Sequence, residues 1–391
     1  MQATRICEGS RGVQYGMKAA EIAVLLWAAV VGTSFFTLAP VLVGALIDQL
    51  QLTVHEVGLI TSGELAGSAL GSTLVLLYGR RFPARATLTF CLVLAGVANL
   101  ATATSHHFST IALFRVVAGV GGGISFSIVN AAAAHARKPG HLFAAISIVQ
   151  TMFGIVGFIG MPALISAIGL PAVFVVLGVS SLGCAIASAG RVTRAPIHGS
   201  TLRSSLSVTP RGALLLVSLF ATYLTSTAVW IHLERIGVAA RLASGIITLG
   251  LSIGMIAGVL GSCGATMLLI RARNTDPFVM GGAAIMAIST GLLLEAAAPA
   301  AYLVALSGFN GALALVTPLY LTKLAAEDSG NSRVLLAMLA IYLGLILGPL
   351  LGAGLVAGYG CEDLIHVTAG LFLAAALLAF GASRLSASRL A

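Results

Sequence analysis

Long apolar runs and short polar breaks alternate along this chain almost from end to end. An α-helix needs about 20 consecutive apolar residues to cross a bilayer. Twelve such runs can be placed, at 20–47, 55–78, 84–104, 109–134, 142–167, 171–190, 213–233, 242–270, 278–296, 300–322, 334–358 and 364–384. All are expected as helices, because a segment in lipid must satisfy its own backbone hydrogen bonds. The alternating segments of about ten residues that mark a membrane β-barrel are absent. Composition agrees: 58% of the 391 residues are hydrophobic and 8% charged, too few to cover a water-soluble surface.

The longest polar break, RVTRAPIHGSTLRSSLSVTPRG at 191–212, has the Ser, Thr, Pro and Arg content of a linker and divides the runs six and six. Across it the pattern repeats. Gly58, Thr61, Gly63, Gly67 and Gly71 recur 187 residues later as Gly245, Thr248, Gly250, Gly254 and Gly258. Gly119 and Gly122 fall 189 before Gly308 and Gly311, and Asp48 and Glu234 are 186 apart. The expected fold class is therefore an all-α polytopic membrane protein, with 12 transmembrane helices in two pseudo-symmetric six-helix bundles of like orientation. The boundaries read as a tail at 1–19, bundles at 20–190 and 213–384, the linker at 191–212 and a second tail at 385–391.

Net charge is +9, and its distribution decides what it means. Of the 21 Lys and Arg, all but Arg115, Arg235 and Arg241 fall in the termini and in alternate loops, 18 on one side. This is the positive-inside asymmetry, so both termini and the linker are expected in the cytoplasm, with the chain in a cytoplasmic (inner) membrane. The charge reports orientation rather than a nucleic-acid partner. The five cysteines stand singly, with no CxxC and no disulfide framework. The first 16 residues lack the apolar core of a signal peptide and read as a tail, or as a segment upstream of a start at Met17.

Nucleotide and metal chemistry find no motif. GVGGG at 119–123 lacks the following Lys-Ser/Thr and the preceding strand of a phosphate cradle, and HExxH and GxSxG are missing. His106-His107 has no ligand set nearby. No cofactor, nucleotide or metal is expected, and no enzyme.

Candidate chemistry lies in polar groups placed within apolar runs, where an ionisable side chain costs about 2.5–3.5 kcal/mol and faces a cavity or a partner. Glu64, near mid-depth in the second run and without a counterpart at Leu251, is the candidate proton-coupling site; the alternative is a structural glutamate. Arg115 reads as a substrate-binding group for an anion or as the ionic partner of Glu64; the alternative is a snorkelling arginine. Asn130, Gln150 and Asn310 are candidates for hydrogen-bonding a solute or a neighbouring helix. Asp48, Trp230, His232 and Glu234 are candidates for an outer gate, with His232 and Glu234 as a titratable pair; the alternative is an aromatic-belt residue and solvated polar ends. Glycines at every fourth position, Gly63, Gly67 and Gly71 in one half and Gly250, Gly254 and Gly258 in the other, make flat faces. The second and eighth runs are expected to slide on one another through them where the halves meet; the alternative is static helix packing inside one half.

At this point the chain resembles the major facilitator superfamily. Arg115 and Gly119 look like that family's Arg-x-x-x-Gly motif, with Ala118 before the glycine. Gly79-Arg80-Arg81 looks like the end of its Gly-x-x-x-Asp-x-x-Gly-Arg-Arg loop motif; Ser72 replaces the leading glycine and Leu76 the aspartate. GLILGPLLGA at 344–353, with Gly348 and Pro349, is close to a helix-5 antiporter pattern but lies in the eleventh run. The resemblance implies alternating access around a central site lined by spans 1, 4, 7 and 10, driven by an ion gradient. The expectation is a secondary transporter of a small organic solute, acting as a monomer and coupled to protons, with an organic anion as cargo. A drug or metabolite efflux antiporter is the alternative. An intramembrane enzyme would need a catalytic constellation that is not found, and a sensor would bind without moving solute.

Overall fold

The computed structural model describes residues 17–192, 209–272, 274–326 and 332–387. Among them the chain is helical, without strands, and twelve helices have the length and hydropathy to cross a membrane. The first half holds α1 (Ala19–Leu50), α2 (Val54–Tyr78), α3 (Ala84–Ala103), α4 (Phe108–Ala134), α5 (Pro139–Ile168) and α6 (Leu170–Arg191). The second holds α7 (Pro210–Trp230), α8 (Leu233–Ala239), α9 (Ser244–Arg271), α10 (Asp276–Leu292), α11 (Pro299–Ala326), α12 (Ser332–Tyr359) and α13 (Cys361–Ala387). α8, with 7 residues, is the one too short to span.

Local chemistry sets the ends. Thr53 caps α2 in a reciprocal box, its hydroxyl accepting from the Glu56 amide at 3.2 Å while the Glu56 carboxylate accepts from the Thr53 amide at 2.8 Å. Pro139 and Pro210 stand in first turns, where no amide is needed. Gly169 at φ 103° and Gly360 at φ 93° reverse the chain between α5 and α6 and between α12 and α13, a conformation that L side chains avoid.

Several expected boundaries differ, among them the linker's ends, where α6 runs to Arg191 and α7 starts at Pro210. The run 213–233 breaks at Trp230, and LERIGVA becomes the separate helix α8. α1 begins at Ala19 and α13 continues to Ala387, each taking residues expected in a tail. Most of the linker, at 193–208, lies outside the described residues, as do residues 1–16.

The helices of the two halves pack in the same pattern. α2 lies on α4 and α9 on α11; α3 lies on α6 and α10 on α13; α1 touches α5 and α6 as α7 touches α12 and α13. The repeated glycines explain the first of these correspondences. Gly67 and Gly71 meet the α4 backbone at Val116, Val120 and Ile124, and Gly119 and Gly123 of α4 meet the carbonyls of Glu64 and Ser68 in return. In the second half Gly250 and Gly254 seat against Tyr302, Leu306 and Asn310, and Gly261 against the Gly311 carbonyl. The expected sliding contact between the second and eighth spans does not form. Each glycine face is used inside its own half, where backbones approach closely enough to exclude a Cβ.

Between the halves α2 meets α12 and α5 meets α9. One apolar core joins them at the end away from the basic loops, running from Phe35–Leu46 of α1 and Phe158 of α5 into Trp230, Ile231 and Leu233. At the basic end the first half closes on a core of its own, including Leu25, Val75, Leu88, Val129 and Cys184, to which the second half contributes nothing. The halves are thus fused at the far end.

Candidate functional site

Within the first half, α2 and α4 bring Glu64 and Arg115 together at 3.5 Å. Arg115 is 1% exposed and Glu64 13%. The glycine contact makes this approach possible, because Gly119 lies against the backbone of Glu64. Arg115 is held mainly from α3: Nη2 donates to Thr102 Oγ1 at 2.9 Å and Asn99 Oδ1 at 3.0 Å, and Nε to Thr102 Oγ1 at 3.2 Å. Its guanidinium also sits 5.4 Å from the Phe35 ring centroid and 5.0 Å from that of Phe174. The bond to Glu64 is the long one, near the limit for a hydrogen bond. This pairing is the ionic-partner reading of Arg115, and its shorter hydrogen bonds run to α3. The side chain points into the first half and its donors are committed there.

The spans also carry neutral polar groups, most near mid-depth and Asn130 close to the basic end of α4. Gln150 of α5 donates to Thr33 Oγ1 of α1 at 2.8 Å. The hydroxyls of Tyr223 on α7 and Thr317 on α11 are 3.0 Å apart. Asn130 and Asn310 each donate to a carbonyl one turn back, Phe126 at 2.9 Å and Leu306 at 3.0 Å, and remain half-buried. Thr33, Tyr223 and Thr317 had drawn no attention in the sequence, where a hydroxyl in an apolar run looks like any helix-bonded Ser or Thr.

At the far end the two halves are joined by polar contacts. Arg235 of α8 donates to both carboxylate oxygens of Asp48 on α1, at 2.9 and 2.5 Å. Trp230 Nε1 donates to the Phe36 carbonyl at 3.0 Å, and its ring meets Phe158 edge-on, centroids 6.2 Å apart. On α12 the Pro349 carbonyl and Ala353 crowd Gly58 of α2, while Gly348 packs within the second half against Leu224 and Thr227.

The expected His232–Glu234 pair does not form. His232 is buried, with Nδ1 on the Ala228 carbonyl at 2.9 Å, and burial lowers its pKa to about 4. Glu234 instead stands 3.1 Å from Arg235 Nε, a contact without hydrogen-bond geometry. Burial pushes its carboxyl above the usual range against the pull of Arg235. Arg235, absent from the sequence candidates, is thus the centre of this cluster; its signal was its place among the three cations off the basic side.

At the basic end Asp276 accepts from Lys323 and lies 3.6 Å from Arg211, tying α10 to α11 and α7. The Gly79–Arg81 turn follows α2, with Arg81 exposed. Among the described residues no group of three or more His, Cys, Asp or Glu has the arrangement to hold a metal.

The sequence profile of the Major Facilitator Superfamily matches residues 24–334. A chloramphenicol resistance protein of Streptomyces lividans is 27% identical over 368 residues, covering 89% of this chain and 91% of that protein. The nucleoside transporter NupG superposes with a TM-score of 0.73 at 12% identity, covering 94% of this chain and 99% of that one. The inward-open xylose transporter XylE from E. coli superposes at 0.71 and 14% identity, covering 92% and 94%. At these identities the two structures are similar in fold.

Proposed function

Because the chain belongs to the major facilitator superfamily and is a transporter, we propose that it moves a small, neutral, amphipathic organic solute out of the cell in exchange for protons. One observation carries the choice of solute. Arg115, the buried cation that would recognise an organic anion, is enclosed within the first half and bonded to α3. The polar groups of the spans left for a solute are amides and hydroxyls: Gln150, Asn130, Asn310, Tyr223 and Thr317. Uptake of an organic anion rested on a free Arg115 and loses that support. The likeness to a chloramphenicol resistance protein supports export.

The basic end faces the cytoplasm in this reading, together with both termini and the linker. The far-end core, Asp48–Arg235 and Trp230–Phe36 then form the closed outer gate, and the protein rests facing inward. Coupling is assigned to Glu64. Its bond to Arg115 is the longest of those that Arg115 makes within the hydrogen-bond range to a side chain, so a proton can replace it while Asn99, Thr102 and two rings still hold the arginine.

Proteoliposomes with the basic face outward and an acid-loaded lumen test this. Chloramphenicol, a neutral amphiphile, is expected to accumulate as protons leave, and aromatic carboxylates are not. Accumulation of the carboxylates alone would refute the proposal.

A further inference from the structure

Beyond Tyr78 the chain turns through Gly79–Arg81, and a groove of about 590 Å³ opens there between α2, α3 and α4. Leu74, Val75, Phe82, Pro83, Ala86 and Phe90 make its wall. Phe90 is 66% exposed, so the groove opens toward the lipid rather than into the protein. Its rim has the opposite character. Arg81 lines it and stands 5.5 Å from the Tyr78 ring centroid, while Arg85, outside the lining, is exposed on the first turn of α3 next to the lining residue Ala86. Among the described residues neither has a carboxylate partner. The segment GRRFPARAT, 79–87, contains no acid, and Leu76 stands where the related motif carries aspartate.

An apolar groove facing lipid, with the unneutralised Arg81 guanidinium in its lining and that of Arg85 on the same turn of chain, matches one ligand chemistry. We propose that it holds an anionic phospholipid of the leaflet at the basic end, with an acyl chain along the Leu74–Phe90 wall and the phosphate against Arg81 and Arg85. The groove supplies chain contact, which does not discriminate between headgroups. The arginines supply the selectivity, at about fivefold each near an anionic leaflet. Arg81, held over Tyr78, gives the headgroup a placed partner.

Native mass spectrometry of the delipidated full chain tests this with phosphatidylglycerol and phosphatidylcholine of identical acyl chains. The wild type is expected to retain phosphatidylglycerol in preference by about tenfold or more. The Arg81→Ala/Arg85→Ala variant, altered only at exposed side chains, is expected to bind both lipids alike. Ala86→Trp, which fills the groove, is expected to weaken both. Equal binding of the two lipids to the wild type would overturn the proposal, as would a preference that survives in the double variant. Displacement of phosphatidylglycerol by soluble glycerol phosphate would overturn it too, by assigning the arginines to an aqueous anion.

Discussion

Asp48 of α1 and Arg235 of α8 join in a two-pronged ion pair across the interface between the halves. In the proposed function this far end is the place that parts as access alternates. Glu234 stands beside Arg235 on the same half, 3.1 Å from its Nε.

Asp48→Asn is expected to favour opening at the far end. The Asp48 side chain is 62% exposed, so the effect is modest, about 1 kcal/mol or less and hence up to about fivefold in the ratio of states. Spin labels at Ser166→Cys of α5 and Ser244→Cys of α9 read it as a larger long-distance population. An unchanged distribution would remove the pair from the gate.

Arg115→Ala is expected to destabilise the fold itself. It strips the bonds to Asn99 and Thr102 and leaves Glu64 buried without a cation, a change that costs about 3–5 kcal/mol. A lower melting temperature, partly restored by adding Glu64→Gln, is the expected result. Normal stability with lost solute affinity would return Arg115 to the binding site.

Gly119→Ala forces a methyl into the Glu64 carbonyl, whereas Gly245→Ala meets nothing within 4 Å. The first is expected to cost about 1–3 kcal/mol and the second close to none, read as melting temperatures. Were these glycines sliding surfaces instead, Gly119→Ala would slow transport and leave the melting temperature in place.

His232 makes stability depend on pH in a stated direction. Its pKa falls from 6.5 to about 4 in the folded protein, so below 6.5 the unfolded chain takes up a proton that the folded one refuses. The stability that this ring contributes is complete above pH 6.5 and is lost as pH falls toward 4, a total of about 3 kcal/mol. Melting temperatures from pH 4 to 8 should fall on the acid side in the wild type and less steeply in His232→Gln. Equal slopes would show that the ring titrates alike in both states.

Much of this architecture was legible in the chain because lipid imposes length and polarity so strictly. Twelve apolar runs, the midpoint break and the one-sided arginines sufficed for the twelve spans and two like bundles. Partner choice was less legible. The spacing of Gly63, Gly67 and Gly71 announces a flat face but not which helix covers it, and α4 covers it rather than the eighth span. α8 went unseen because LERIGVA begins where the expected seventh run ends, at 233, and its Glu234 and Arg235 look like a polar span end; with it went the role of Arg235. Glu64 and Arg115 sit 51 residues apart, and only the α2–α4 contact joins them.

The coupling role of Glu64 is tested most directly by measuring solute exchange and proton-driven accumulation side by side in proteoliposomes of wild type and Glu64→Gln. The variant is predicted to exchange solute across the membrane while failing to accumulate it against a gradient, because the halves still rock but no proton is carried. Accumulation at the wild-type level would contradict the account.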